Sequence, residues 1–476
     1  MSRVFHPVKT KFGHGRRAPH PIPAALREPV LSASPTPLKL VARPVARLQG
    51  RVSAPGDKSV SHRALMFGAL ALGETVISGL LQGEDILRTA AALTALGADV
   101  RREGEVWRVR GFGVGGACEP QDVLDLGNSG TSARLLSGIL ASHRFTSFMT
   151  GDGSLRRRPM QRVIEPLSRM GARFQSREGG RLPLAIVGTD EMVPIEYELP
   201  IASAQVKSCI LLAGLNAAGE TTVIEPAATR DHTERMLRHF GAEIRVAAAE
   251  KGGKRITVAG WPELKGRDLV VPGDPSSAAF AVVAACIRPG SDVLVGNVGI
   301  NPLRAGLYAT LKEMGADIAF QNEREVGGEP VADLHVKGGG LKGIDVPAQR
   351  APSMIDEYPI LAVAAAFAEG TTHMQGLAEL RAKESDRLSS VAAGLAANGV
   401  AHEMGADSLT VHGTGAPPPG GGLVKTHLDH RIAMSFLVMG LGTREPVAVD
   451  DGSPIDTSFP GFAALMNGLG AGIEAA

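Results

Sequence analysis

Cysteine is almost missing from this 476-residue chain, which has only Cys118, Cys209 and Cys286. Three is an odd number and none stands at zinc-ligand spacing, so neither a disulfide scaffold nor a metal site is expected; a reducing, cytoplasmic compartment suits the chain better. Aromatics are scarce too, at 4% of residues, which argues against the base-stacking surface of a single-strand nucleic-acid binder. Net charge nearly vanishes: 50 Lys and Arg against 49 Asp and Glu leave +1, with no global field to attract nucleic acid or an anionic membrane. The longest apolar runs, such as Ile360–Ala368 and Ile432–Leu441, fall well short of the ~18 residues a membrane span takes. The first 35 residues carry six basic groups against Glu28 and are cut up by prolines, with no apolar segment of the secretory type. They read as a disordered basic tail, an organelle transit peptide being the alternative. Glycine, by contrast, is abundant at 59 residues in a chain that is 44% hydrophobic, as in a globular protein with many tight turns.

The body of the chain repeats itself. A helix-like stretch, then Gly-Ala or a near match, then a β-prone residue occurs at Leu93…Gly97-Ala98, Leu167…Gly171-Ala172, Leu237…Gly241-Ala242 and Leu311…Gly315-Ala316. A weaker copy is Leu395…Gly399-Val400, and the last is Met466…Gly470-Ala471; the glycines lie 74, 70, 74, 84 and 71 residues apart. Each glycine stands where a helix end takes a left-handed residue before the chain turns into a strand. A longer period overlies the first, since Pro55-Gly56-Asp57-Lys58-Ser59 returns as Pro272-Gly273-Asp274-Pro275-Ser276-Ser277, 217 residues on. Two α/β lobes of three repeats each follow, one from 58–271 and one from 39–57 with 272–476, crossing at the Pro-Gly segments, with a tail at 1–38.

Charged residues gather at helix starts. Lys58, Ser59 and Arg63 precede or open the helix-like Ala64–Leu72, with Ser59 or Ser61 as the natural cap; free N–H groups, the helix dipole and two cations make an anion site there. The alternative is a capped surface helix with solvated charges. Gly127-Asn128-Ser129-Gly130-Thr131-Ser132 is a second such start, with Arg134 in its first turn, and fits neither the Walker loop nor GxGxxG, so no nucleotide is indicated. Arg156, Arg157 and Arg158 form a run pinned by Pro159. Ser203–Ser208 opens the apolar stretch Cys209–Leu215, where Gln205 and Lys207 cannot both face the core. Thr229–Glu234 is another start, capped by Thr233 or Asp231. Singly these are ordinary caps; stacked in parallel, their positive ends would converge. The second half adds Asp356-Glu357, the mixed-charge Arg381–Arg387 and Asp429-His430-Arg431, for which a surface ion-pair network is the competing reading. His430 has no visible partner that would make it a base.

As a set these motifs resemble the 3-phosphoshikimate 1-carboxyvinyltransferase (EPSP synthase) family from about residue 45 onward. Pro-Gly-Asp-Lys-Ser-x-Ser-His-Arg at 55–63, Leu-Gly-Asn-Ser-Gly-Thr at 126–131, Arg-Arg-Pro-Met at 157–160, Lys-Glu-Ser-Asp-Arg at 383–387 and Asp-His-Arg at 429–431 occur in family order, closest to the bacterial class II enzymes. The resemblance implies an α/β (α+β) fold, a two-lobed inside-out α/β barrel of the enolpyruvyl transferase type with six βαβαββ-like repeats. It implies transfer of the enolpyruvyl group of phosphoenolpyruvate to the 5-hydroxyl of shikimate 3-phosphate, through a tetrahedral ketal that loses phosphate. No cofactor, metal, nucleic acid or membrane is implied, and a monomer suffices. Two multiply anionic substrates call for clustered cations and helix N-termini, and the proton movements for an acid and a base on opposite reactants.

Carried over residue by residue, the resemblance places Lys58, Ser59, Arg63, Ser203, Gln205, Arg230, Asp356 and Lys383 around shikimate 3-phosphate. Lys58, Gly130, Arg158, Gln205, Arg387 and Arg431 fall around phosphoenolpyruvate. Asp356 is implied as the base, Glu384 as proton donor or relay, with Lys58 able to share that work. Gly130 implies sensitivity to glyphosate, the family's competitor of phosphoenolpyruvate, since tolerant class II enzymes can carry alanine there. Two departures stand out. A lysine common before Thr-x-Phe/Tyr-Pro is missing from Ile455–Pro460, and a second serine after Ser203 is Ala204. Two other readings remain: a UDP-N-acetylglucosamine enolpyruvyl transferase, whose mobile-loop cysteine Cys118 does not match, and a non-catalytic anion- or RNA-binding module.

Overall fold

The computed structural model describes residues 37–250 and 252–476. The expected tail therefore lies outside the described residues up to position 36. Leu38 is already tied down: its N–H donates to Asp451 (3.1 Å) and its carbonyl accepts from Gly452 N–H (2.7 Å).

Six four-stranded sheets share one order: a short edge strand parallel to its neighbour, then two antiparallel pairings. In the first, Leu269–Val270 lies parallel to Glu74–Ser78, which pairs with Val106–Arg110 and that in turn with Asp99–Glu103. The edge strand thus returns from the far end of the same lobe. Elsewhere the first described strands are woven into the second lobe: Gln49–Ser53 is the edge strand beside Asp292–Gly299, and Leu40–Arg43 sits between Val447–Val449 and Gly472–Ala475. The two crossings meet at an antiparallel bridge between Gly56 and Gly273, with Asp57 N–H on Pro272 and Asp274 N–H on Pro55, each at 2.7 Å.

Six helices are buried on nearly every side, which suits sequences that are apolar or small all round beyond their first turns. They are Lys58–Leu70, Gly130–Ala141 and Ala204–Gly214 in one hydrophobic core, and Pro275–Cys286, Tyr358–Phe367 and His430–Gly440 in the other. The first core draws on residues from Val60 to Val271; the second joins Leu40, Ala42 and Leu48 to residues from Ala278 to Ile473. Six further helices are half-exposed, and each ends in a repeat glycine. All six glycines have positive φ, from +72° at Gly399 to +112° at Gly171. In each copy the next residue's N–H reaches back to the carbonyl of the repeat's Leu or Met, as Ala98 does to Leu93 (3.0 Å) and Ala471 to Met466 (3.1 Å). The sequence repeat is therefore a Schellman motif written six times.

The first helix begins earlier than Ala64, and neither Ser59 nor Ser61 caps it. Asp57 does, accepting Val60 N–H at 2.9 Å, because a carboxylate one residue ahead of Lys58 reaches the free amides first. Ser61 instead accepts Leu81 N–H. Thr233 does not cap the helix His232–Phe240 but lies inside it, and the carboxylate of Asp231 at the cap position is occupied by Asn301 (2.7 Å) and Arg235 (3.0 Å). Lys207 is the core-facing member of its pair: fully buried, it meets Glu225 (3.0 Å) and Glu234 (2.7 Å). No helix among the described residues is long and apolar enough to cross a membrane.

Candidate active site

The starts of all six buried helices border one cavity between the lobes, four through residues of their first turn and two, Pro275–Cys286 and Tyr358–Phe367, through the preceding Asp274 and Asp356. From the first lobe come Lys58, Ser59, Gly130, Ser203 and Gln205, joined by Arg158 and Arg230; from the second come Asp356, Lys383, Glu384 and Arg431. Six helix dipoles thus have their positive ends around a single space, which favours anions. Ser129 and Ser203 cap two of these helices through their own hydroxyls, accepting Ser132 N–H (3.1 Å) and Val206 N–H (3.4 Å).

The cations are held, not free. Lys58 forms an ion pair with Asp85. Arg158 donates to Asn128 Oδ1 (2.7 Å) and Ser154 (3.1 Å). Arg134, which the motifs had noted without a role, also lines the cavity and donates to Gln205 Oε1 at 3.1 Å, while Gln205 Nε2 donates to Thr131 (3.1 Å). Burial, with the like charges of Arg158 and Arg162, pulls Arg134 down to about 10. An arriving anion would relieve that repulsion.

Asp356 joins the lobes. It accepts from Arg230 Nη2 at 2.6 Å and from Arg387 Nη1 at 3.0 Å, with Lys383 Nζ at 3.5 Å. Burial would raise its carboxyl, but Lys383, Arg230, Arg431 and Arg387 together hold it well below the usual carboxylate range. Glu384 is opposed in the same way: burial raises it, and the charges of Arg387, Arg158 and Lys58 hold it well below. Burial pushes His430 down to about 3, so it is neutral at physiological pH.

Two expected binding residues do not line the cavity. Arg63 is committed inside its lobe to Thr233 Oγ1 (2.7 Å), Ser208 Oγ (2.8 Å) and the Ser59 carbonyl (3.0 Å). Arg387 is 1% exposed and serves three carboxylates at once: Nη1 to Asp356 (3.0 Å), Nη2 to Glu384 (2.5 Å) and Nε to Asp429 (2.8 Å). A rigid planar fork of this kind sets the spacing of the carboxylates it binds. Asp85 escaped sequence reasoning, and Asn128 and Asp429 stood in motifs without a named partner, because each touches its cation only through the tertiary fold. Ala204 lines the cavity where a second serine was expected, and the Ile455–Pro460 stretch contributes nothing to the lining.

No cysteine among the described residues faces this cavity. Cys118 is exposed against the Gly97 turn, and Cys209 and Cys286 are buried, where burial pushes the Cys286 thiol up to about 12. A second hollow in the first lobe, lined by His143, Phe145 and Trp261, gathers an exposed ion pair, Arg144–Asp190 at 3.9 Å, and is not a candidate for this chemistry.

The model of the EPSP synthase (3-phosphoshikimate 1-carboxyvinyltransferase) family matches residues 42–466. The chain belongs to the EPSP synthase family. A 3-phosphoshikimate 1-carboxyvinyltransferase of Paramagnetospirillum magneticum is 68% identical over 91% of this chain and 98% of the relative, and one of Gluconobacter oxydans is 62% identical over 92% and 98%. Among solved structures, EPSP synthase from Acinetobacter baumannii superposes with a TM-score of 0.83 at 46% identity, covering 92% of this chain and all of that one. The enolpyruvyl transferase NikO from Streptomyces tendae, at 18% identity and a TM-score of 0.72, shares the fold. As an EPSP synthase the chain has the two-lobed α/β architecture expected from its repeats, with the lobes facing each other across the cavity.

Proposed function

We propose that this cavity is where phosphoenolpyruvate and shikimate 3-phosphate meet, so that the chain transfers the enolpyruvyl group to the 5-hydroxyl and releases phosphate. The arrangement that carries the reading is Arg387 holding Asp356 and Glu384 on one fork, inside a ring of six helix N-termini. Ser59, Ser203, Gln205, Arg230 and Lys383 would hold shikimate 3-phosphate; Lys58, Gly130, Arg158, Gln205 and Arg431 would surround phosphoenolpyruvate. Arg63 and Arg387 support these groups from behind, Arg63 through the carbonyl of Ser59.

Asp356 is the base in this scheme. Its surrounding cations keep it ionised, and substrate phosphate and carboxylate draw on those same cations as they bind, raising its proton affinity when the hydroxyl must lose its proton. The 5-oxygen then bonds to the central carbon of phosphoenolpyruvate while the methylene carbon takes up a proton from the Lys58 ammonium, with Glu384, ionised before the substrates bind, as the relay. In the second half a proton leaves the new methyl group, the carbon–oxygen bond to phosphate breaks and phosphate departs. Anion-binding groups divided between the lobes would also let the substrates draw the lobes together.

The lobe boundaries, 58–271 against 39–57 with 272–476, are part of the same proposal, supported by the separate hydrophobic cores. We further infer a cytoplasmic monomer that uses no nucleic acid, since one chain supplies every group named and its buried thiols are unpaired. The test is phosphate release in a mixture of both substrates, with the enolpyruvyl ether identified by mass spectrometry. Omitting either substrate, or replacing shikimate 3-phosphate by UDP-N-acetylglucosamine, should abolish it. Turnover with the sugar nucleotide would overturn the assignment.

A further inference from the structure

Arg304 stands outside every motif in the sequence, in the turn before the helix Gly306–Glu313, yet it is 3% exposed and reaches the wall of the active-site cavity. Its guanidinium lies at the junction of the two crossings. Nη2 is 3.2 Å from Asp274 Oδ1, 3.6 Å from Asp57 Oδ2 and 2.9 Å from Ser276 Oγ. Asp57 and Asp274 cap the first buried helix of each lobe, accepting Val60 N–H (2.9 Å) and Ser276 N–H (2.7 Å). Asp274 also crosses between the lobes, for its Oδ2 accepts the backbone N–H of Lys58 at 3.1 Å. On the other side, Ser276 Oγ donates to Glu357 Oε1, and that oxygen is 3.7 Å from Arg431 Nη1. Arg431 in turn donates to the carbonyl of Asp356 at 3.3 Å.

A continuous polar chain therefore runs from the backbone of Lys58, through Asp274, Arg304, Ser276 and Glu357, to Arg431 and Asp356. Two buried carboxylates, Asp57 and Asp274, face this one guanidinium directly and a third, Glu357, follows behind Ser276, while Arg304 Nε and Nη1 have no hydrogen-bond partner among the described residues. That is a poor site for a substrate anion and a good one for a clamp. We infer that Arg304 is a positioning residue for enolpyruvyl transfer: by bridging the capping carboxylates of both lobes it sets Lys58 against Arg431 and Asp356. The inference rests on the roles proposed above for Lys58 and Asp356.

The test compares Arg304→Lys, Arg304→Met, Asp57→Asn, the double variant Asp57→Asn/Arg304→Met and, as a separate control, Lys58→Ala, each in steady-state phosphate release. Lysine keeps the charge, but its ammonium ends one bond short of Nη2, the nitrogen that makes all three contacts. Misplacement of reacting groups by about 1 Å costs on the order of 10²-fold in rate, so Arg304→Met should lower kcat about 100-fold and Arg304→Lys about tenfold, with the KM of both substrates within threefold. Because Asp57 and Arg304 act through one contact, the double variant should lose far less than the product of the single losses. If Arg304→Met does not fold, the kcat of Arg304→Lys decides the matter. Wild-type kcat in Arg304→Lys, or a kcat loss in Arg304→Met that matches an equal rise in KM, would overturn the inference. An unaffected Lys58→Ala would instead overturn the site assignment on which it rests.

Discussion

Gly130→Ala adds one methyl group at the first residue of the helix Gly130–Ala141, and the structure says what it would meet. A Cβ there lies 2.8 Å from Arg134 Nη1 and 3.1 Å from Arg158 Nη1, against the 3.4 Å or more of ordinary contact. The backbone conformation is one that alanine adopts freely, so the cost is confined to those two guanidinium ends. Both belong to flexible side chains and can retreat, but Arg134 then strains its 3.1 Å bond to Gln205, and Arg158 shifts relative to the phosphoenolpyruvate it is proposed to hold. A charge-assisted hydrogen bond contributes about 1.5–3 kcal/mol; weakening one by half, ~0.7–1.4 kcal/mol, raises the KM for phosphoenolpyruvate about three- to tenfold. Glyphosate is longer and has less room to adjust, and discrimination by one methyl group is typically ~1–3 kcal/mol, so its inhibition constant should rise at least tenfold. Helix propensity favours alanine over glycine by up to ~1 kcal/mol, so the melting temperature should not fall. Phosphate release at varied phosphoenolpyruvate, with and without glyphosate, measures both constants. A folded variant whose KM and inhibition constant both stay within twofold of wild type would refute the crowding argument.

Asp356→Asn should lower kcat by at least 100-fold, the general-base contribution being typically 10²–10⁴, while substrate KM changes little; a drop of less than tenfold would mean that another group is the base. Asp356 and Glu384 are both held below the ordinary carboxylate range, so the stability tied to their ionised forms is complete above about pH 4.3 and is lost as pH falls through the lowered values. The melting temperature should therefore fall below about pH 4, and Glu384→Gln should make that fall shallower when followed by calorimetry. Arg387→Gln leaves the fully buried Asp429 without its Nε partner, and urea unfolding should show a loss of about 3–5 kcal/mol. Deleting residues 1–36 should leave activity and melting temperature unchanged. Extending the deletion through Arg43 removes the strand between Val447–Val449 and Gly472–Ala475, and circular dichroism should then show loss of structure.

The sequence carried the repeat because each copy must stop a helix, and only a residue free to adopt positive φ does that cheaply. A second glycine series went unread. Gly111, Gly188, Gly260, Gly338 and Gly413 recur 77, 72, 78 and 75 residues apart, and a Cβ on any of them would strike a carbonyl at a buried helix's end, at 2.3, 2.1, 1.8, 2.0 and 2.2 Å. Its signal was as regular as the first. Its cause, backbone approaching backbone across the fold, has no local signature.

Local chemistry in the sequence thus determined where helices begin and end, which residues carry charge at their starts, and the family to which the motifs belong. It could not say which charges face substrate. Lys207, which shares a helix start with Gln205, is buried on Glu225 and Glu234; Arg63 and Arg387 turn inward; Arg304, in no motif, sits at the junction of both crossings. The physical reason is range. A cap or a turn is settled by the few residues around it, whereas an ion pair is settled by whichever opposite charge the fold brings within a few ångströms, and for Arg230 and Asp356 that charge lies 126 residues away.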